Sequence, residues 1–195
     1  LYAGTQGQGI FRVSPDGSAV NLTYPGTPLA EAPIVALDEA NGRLFAATPT
    51  ALHYADLMGV DGPADWIETS PVEGWITTLA AADPEVVYAG TATLGVFVTW
   101  DAGQVWAPAR EGLGLAAGQM VNVTALRLDR AEPGVLYATV DHAVGSTEVH
   151  SSAAGAYVSV DSGATWQPLA GPGFPDARHA ADLVTVPGQP LAVQA

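Results

Sequence analysis

Four histidines and 20 carboxylates stand in this 195-residue chain, and two of the histidines lie close to acids. His142 and His150 share residues 140–154 with Asp141 and Glu148. Imidazole nitrogen and carboxylate oxygen are the donors that zinc and other divalent metals take. The stretch reads as an insertion between two strands, and a polar loop is favoured over a metal centre. No metal and no cofactor is assigned. These four residues are instead the candidates for contact with a ligand or partner, because a long insertion on a regular scaffold tends to carry function.

A second constellation puts Ser, Asp and Trp in close order. Ser159-x-Asp161-x-Gly163-x-x-Trp166 repeats Thr99-x-Asp101-x-Gly103-x-x-Trp106 from sixty residues upstream. Each position has a mechanical reason. The Asp carboxylate accepts backbone N–H groups of its own turn, and the hydroxyl bonds the same loop. Gly takes positive φ, and Trp buries a large face between sheets. Glycoside hydrolysis would need two facing carboxylates about 5–10 Å apart. With so many acids, pairs are cheap, and the sequence selects none. No catalytic residue is assigned.

The elements that position these residues are repeats. Leu1-Tyr2-Ala3-Gly4-Thr5 recurs as Leu44-Phe45-Ala46-Ala47-Thr48, as Val87-Tyr88-Ala89-Gly90-Thr91 and as Leu136-Tyr137-Ala138-Thr139. Around each copy stand an alternating apolar strand, a Pro/Gly/Asn turn, a Gly-bearing loop and a third strand such as Gly95-Val96-Phe97-Val98. That is four antiparallel strands per period, a sheet unable to cover its own two faces. The expectation is an all-β β-propeller of four-stranded antiparallel blades. About four blades are present in one segment, 1–195, with repeats beginning near 1, 44, 87 and 136 and a partial fifth near 191. A fifth copy of the second strand is one too many for a closed four-blade ring. The expected form is an arc of a larger ring, completed by a second chain or by missing sequence. Trp106 and Trp166 should lie buried at equivalent positions of adjacent blades.

These words resemble the Asp-box (BNR) repeat family of propellers, which includes sialidases, sortilin-type receptors, photosystem II stability factors and xyloglucanases. The resemblance runs through essentially the whole chain. It implies that the box is a structural fastener, remote from the binding face. Two copies depart from it. Ser14-Pro15-Asp16-Gly17 lacks the Trp, and Asp56 is followed by an Asp-rich loop before Trp66. Sialidases need a cluster of three arginines. Here Arg12 stands in a third strand, while Arg43, Arg110, Arg127, Arg130 and Arg178 are expected mostly in turns.

Composition narrows the partners. The chain is 48% hydrophobic and 13% charged, which excludes a disordered segment. All six of its basic residues are arginine, and the net charge is −14. Such a surface excludes nucleic acid and anionic membrane as partners, since both require basic residues. Another protein or a glycan remains. With no cysteine there is neither a disulfide framework nor a thiol nucleophile. The first residues, Leu1-Tyr2-Ala3, contain neither a Met start nor a signal peptide, as expected of a mature product or a piece of a longer chain. The family resemblance and the absence of lysine point to an extracellular or periplasmic protein. The functional expectation is a non-catalytic propeller scaffold for protein or glycan binding. The alternative is part of a xyloglucanase- or sialidase-like glycoside hydrolase, with catalytic residues partly outside this segment.

Overall fold

The computed structural model describes residues 1–113, 120–142, 154–169, 182–184 and 192–194. Its strands fall into successive antiparallel sheets. The first holds β1 (Tyr2–Gly4), β2 (Ile10–Val13) and β3 (Ala19–Asn21). A single helical turn, α1 (Pro28–Glu31), leads to a four-stranded sheet of β4 (Ala36–Ala40), β5 (Arg43–Ala47), β6 (Leu52–Asp56) and β7 (Ile67–Glu68). The third sheet is β8 (Ile76–Ala81), β9 (Val87–Thr91), β10 (Val96–Thr99) and β11 (Ala107–Pro108). The fourth is β12 (Val121–Leu128), β13 (Leu136–His142), β14 (Gly155–Ser159) and β15 (Gln167–Pro168). A last pair, β16 (Asp182–Val184) and β17 (Ala192–Gln194), supplies only a first and a second strand.

Each sheet is thus a blade, in sequential order, and the blades form an open arc. Among the described residues the first blade has no counterpart of the strand that β4, β8 and β12 provide in the others. Apolar residues on both faces of each sheet meet the next blade. One core packs Phe45, Leu52, Ile76, Val87 and Phe97 between blades two and three. Another packs Tyr88, Val98, Leu126, Leu136 and Trp166 between blades three and four.

The repeated words have specific jobs. Threonine closing the Leu-Tyr-Ala word folds the loop between second and third strands. Thr5, Thr48 and Thr91 each donate to a carbonyl across that loop (Gly9, Ala51 and Gly95), and each accepts a backbone N–H within it. In the fourth copy Thr139 comes one residue early and is paired with Thr124 at 2.7 Å instead. With Val140 where the loop threonine would stand, β13 runs on to His142. The first three residues of the expected insertion are therefore strand.

Blades are also stitched at the entry to each first strand. Ile34, Ile76 and Val121 donate their N–H to Thr5, Pro49 and Thr93, each in the second-to-third-strand loop of the preceding blade. Arginines add further ties. Arg43 stands in β5 and Arg127 in β12, so these two belong to strands and not to turns. Arg43 grips Asp56 with two bonds of 2.7 and 2.9 Å, covers the Tyr54 ring and donates to Pro84 of the next blade.

Candidate functional site

Antiparallel order sends the box turns to one side of the arc and the second-to-third-strand loops to the other. On the box side the polar groups are consumed. The Thr99 hydroxyl donates to Asp101 and accepts from Gly103 N–H, while Asp101 also accepts from Gln104 and Val105. Ser159, Asp161, Gly163 and Thr165 repeat the arrangement, with Thr165 bonding Asp161 through both N–H and hydroxyl. Ala102 and Ser162 adopt positive φ of 55° and 58° to turn the chain there. Each turn is fastened to the first turn of its own blade, through Ala102 N–H to Glu85 and Ser162 N–H to Gly134.

The box tryptophans tie blade to blade. The indole N–H of Trp66 donates to Leu22, that of Trp106 to Ser70 and that of Trp166 to Ala109, always a carbonyl of the preceding blade. Equivalent placement of Trp106 and Trp166 agrees with expectation; equal burial does not. Trp166 is only 2% exposed, whereas Trp106 is half-buried. The difference lies in the covering segment. Leu113 packs in the core with Trp166, and Glu111 accepts the Trp166 backbone N–H. Trp106 lies at the margin of its core, packed against it from outside.

Arg12, Arg43 and Arg110 do not assemble. Arg12 donates to Val60, Arg43 is held by Asp56 and Pro84, and Arg110 donates to Leu94 while lying over Phe97. These three guanidiniums belong to three different blades, each engaged locally, so they do not form a carboxylate-binding triad.

On the side opposite the boxes, exposed apolar side chains stand just before the first strands of blades two, three and four, at different registers of the repeat. They are Val35, Trp75 and Met120, and Trp75 is 68% exposed. The Trp75 backbone is fixed, since its carbonyl accepts Ala92 N–H from the neighbouring loop. Asp141 and His142 lie on this side too, at the end of β13, opposite Asn122 and Val121 in the register. Glu148 and His150 lie outside the described residues. The row of exposed residues escaped the motif reading because it has no motif. Its only signal is an apolar residue preceding each first strand.

A third feature lies at the outer rim between blades one and two. A cavity of about 340 Å³ is lined by Tyr24, α1, His53, Asp65, Trp66 and Glu68. His53 is 8% exposed; its Nε2 lies 3.5 Å from Glu68 Oε2, and its buried Nδ1 has no partner among the described residues.

Titration behaviour follows from these contacts. Asp16, Asp56, Asp101 and Asp161 are all held below the ordinary carboxyl value. The main causes are the Ser18 hydroxyl, Arg43, the Val105 N–H and the Thr165 hydroxyl respectively. Burial pushes His53 below 6.5, against the smaller pull of Glu68. An unfolded imidazole takes up its proton near pH 6.5, the folded one only at lower pH. Stability should therefore fall as pH drops below about 6.5, until folded His53 itself titrates. The aspartates act further down, stabilising above about pH 4 and losing that contribution as pH falls through their lowered values. Denaturant melts across this range should show a near-neutral step that His53→Gln removes. If the step persists in that variant, another group causes it.

No family model matches the chain, and no curated relative matches it. Solved structures do. A GH74 xyloglucanase from Xanthomonas campestris superposes with a TM-score of 0.59 at 18% identity, over 88% of this chain and 28% of that one. A GH74 enzyme from Niastella koreensis gives 0.62 at 15%, over 94% and 29%. The fold is a β-propeller. The extracellular domain of a one-component system from B. thetaiotaomicron is also similar, at 0.57 and 13% identity, over 93% of this chain and 23% of that domain. This propeller segment spans less than a third of each of those chains. Among its described residues no helix is long and apolar enough to cross a membrane.

Proposed function

We propose that this chain is a non-catalytic binding scaffold, and that a glycan docks on the side where the first strands begin. The observation that carries the proposal is Trp75, a large aromatic ring left in solvent on a backbone pinned from the neighbouring loop. A flat ring of this kind stacks on the apolar face of a sugar. The polar box residues are excluded from this role because their groups are spent within their own turns. The likeness to xyloglucanases supports a carbohydrate ligand, and also motivates the alternative of a hydrolase segment with its catalytic residues elsewhere. An extracellular or periplasmic setting accords with that likeness. In this reading a second chain or further sequence completes the ring.

Titration with xyloglucan oligosaccharides, followed by tryptophan fluorescence, tests the reading. Saturable binding without release of new reducing ends is expected. Trp75→Ala should weaken it by about tenfold or more, as for a truncated aromatic anchor. Hydrolysis by the isolated chain would overturn the non-catalytic reading.

A further inference from the structure

The rim cavity between blades one and two has no part in the proposed glycan site, and its chemistry points to a different ligand. At about 340 Å³ it is at the small end of ligand pockets, sized for one side chain and not for a polymer. Its walls are aromatic and aliphatic. Tyr24 is 49% exposed, Leu29 and Ala64 are buried beneath, and Trp66 is half-buried beside them. The Trp66 N–H is already spent on the Leu22 carbonyl, so the indole offers the cavity its ring and no donor.

The charged groups lining the cavity are the carboxylates Asp65 and Glu68. Both accept hydrogen bonds and donate none. His53 does not offset them. Its desolvated ring favours the neutral form, and its side chain is nine-tenths buried with Nδ1 unpartnered among the described residues. Among the described residues no arginine lines the cavity, and the chain contains no lysine. Arg12, which ties into the same blade-two loop, is committed to the Val60 carbonyl and to Asp61. The cavity is therefore negative in charge, holds no cationic side chain among the described residues, and is walled by aromatic rings.

A guanidinium or ammonium on an alkyl stem satisfies every one of those terms. Its N–H groups meet the carboxylates, its charge meets the ring faces, and its methylenes cover the apolar floor. We infer that the rim cavity is a socket for an arginine or lysine side chain presented by a partner protein. A net charge of −14 would steer a basic surface toward the arc before the side chain seats.

The test uses two short capped peptides, one with a central arginine and the other with citrulline, its neutral near-isostere. Binding is read by calorimetry and by tryptophan fluorescence, at low and at high salt. The arginine peptide should bind about tenfold more tightly than the citrulline peptide, with the advantage shrinking in salt. Asp65→Asn with Glu68→Gln should erase the advantage while leaving the melting temperature within a degree or so, because both carboxylates are exposed. Tyr24→Ala, at a half-exposed position, should weaken the arginine peptide as well. Equal affinity for the two peptides, or an arginine preference that survives the double carboxylate variant, overturns the socket. So does failure of the arginine peptide to bind the intact protein. A small cation such as N-acetyl-arginine amide binding as tightly as the peptide would overturn the protein partner in favour of a small cationic ligand.

Discussion

Trp166→Ala is expected to cost about 3–5 kcal/mol, the range for deleting a large buried aromatic. The ring is 2% exposed and packs with Ala109, Leu113 and Leu136 in the core between blades three and four. Its N–H donates to the Ala109 carbonyl at 2.8 Å, so truncation also leaves that buried acceptor bare. The loss should appear in denaturant unfolding as a lower midpoint. Trp106→Ala supplies the comparison. Its ring has the same place in the repeat but is half-buried, so its cost should be distinctly smaller. Equal losses would show that burial by the segment after β11 contributes nothing.

Gly112→Ala should cost about 2–4 kcal/mol, from two sources that a control separates. Gly112 has φ +89°, where an L side chain is strained, and a Cβ there would run into the carbonyl of Trp166. Backbone cannot swing aside as a side chain can. Gly17 has nearly the same φ, +84°, with open space around it. Gly17→Ala should therefore show the conformational part alone, about 1–2 kcal/mol. The difference between the two substitutions measures how tightly the 110–113 turn is clamped over Trp166. If the two costs are the same, the clamp is not tight.

Both predictions concern contacts between blades, and that is where sequence reading reached its end. Within a blade the words were enough. Tyr-Ala-Gly-Thr marked β9 and its loop, and the box marked the turn after β10, because those hydrogen bonds close over two to four residues. What covers a given Trp depends on a segment tens of residues away, so Leu113 over Trp166 was invisible. The Arg43–Asp56 pair was hidden for a similar reason. Its partners are cross-strand neighbours in register, whereas the box pattern alone assigns Asp56 to a turn. The strand running to His142 hung on a single threonine out of place. The rim cavity needed α1 and a blade-two loop to meet, and neither carries a repeat word.

Function was less legible than fold because the proposed binding residue, Trp75, sits where the repeat is free to vary. Val35, Trp75 and Met120 each precede a first strand, but they share neither register nor residue type. The box side offers its own exposed ring in Trp100, 59% exposed at the variable position of the third-blade box. This ring is the direct rival to Trp75, being similar in size and exposure but on the opposite side of the arc.

The two can be separated in one experiment. Xyloglucan oligosaccharide is titrated into the unmodified protein, Trp75→Ala and Trp100→Ala, with melting temperatures recorded for all three. Binding should be lost or severely weakened in Trp75→Ala alone, with all three proteins melting alike. Binding that survives in Trp75→Ala and disappears in Trp100→Ala would move the site to the box side and contradict the assignment made here.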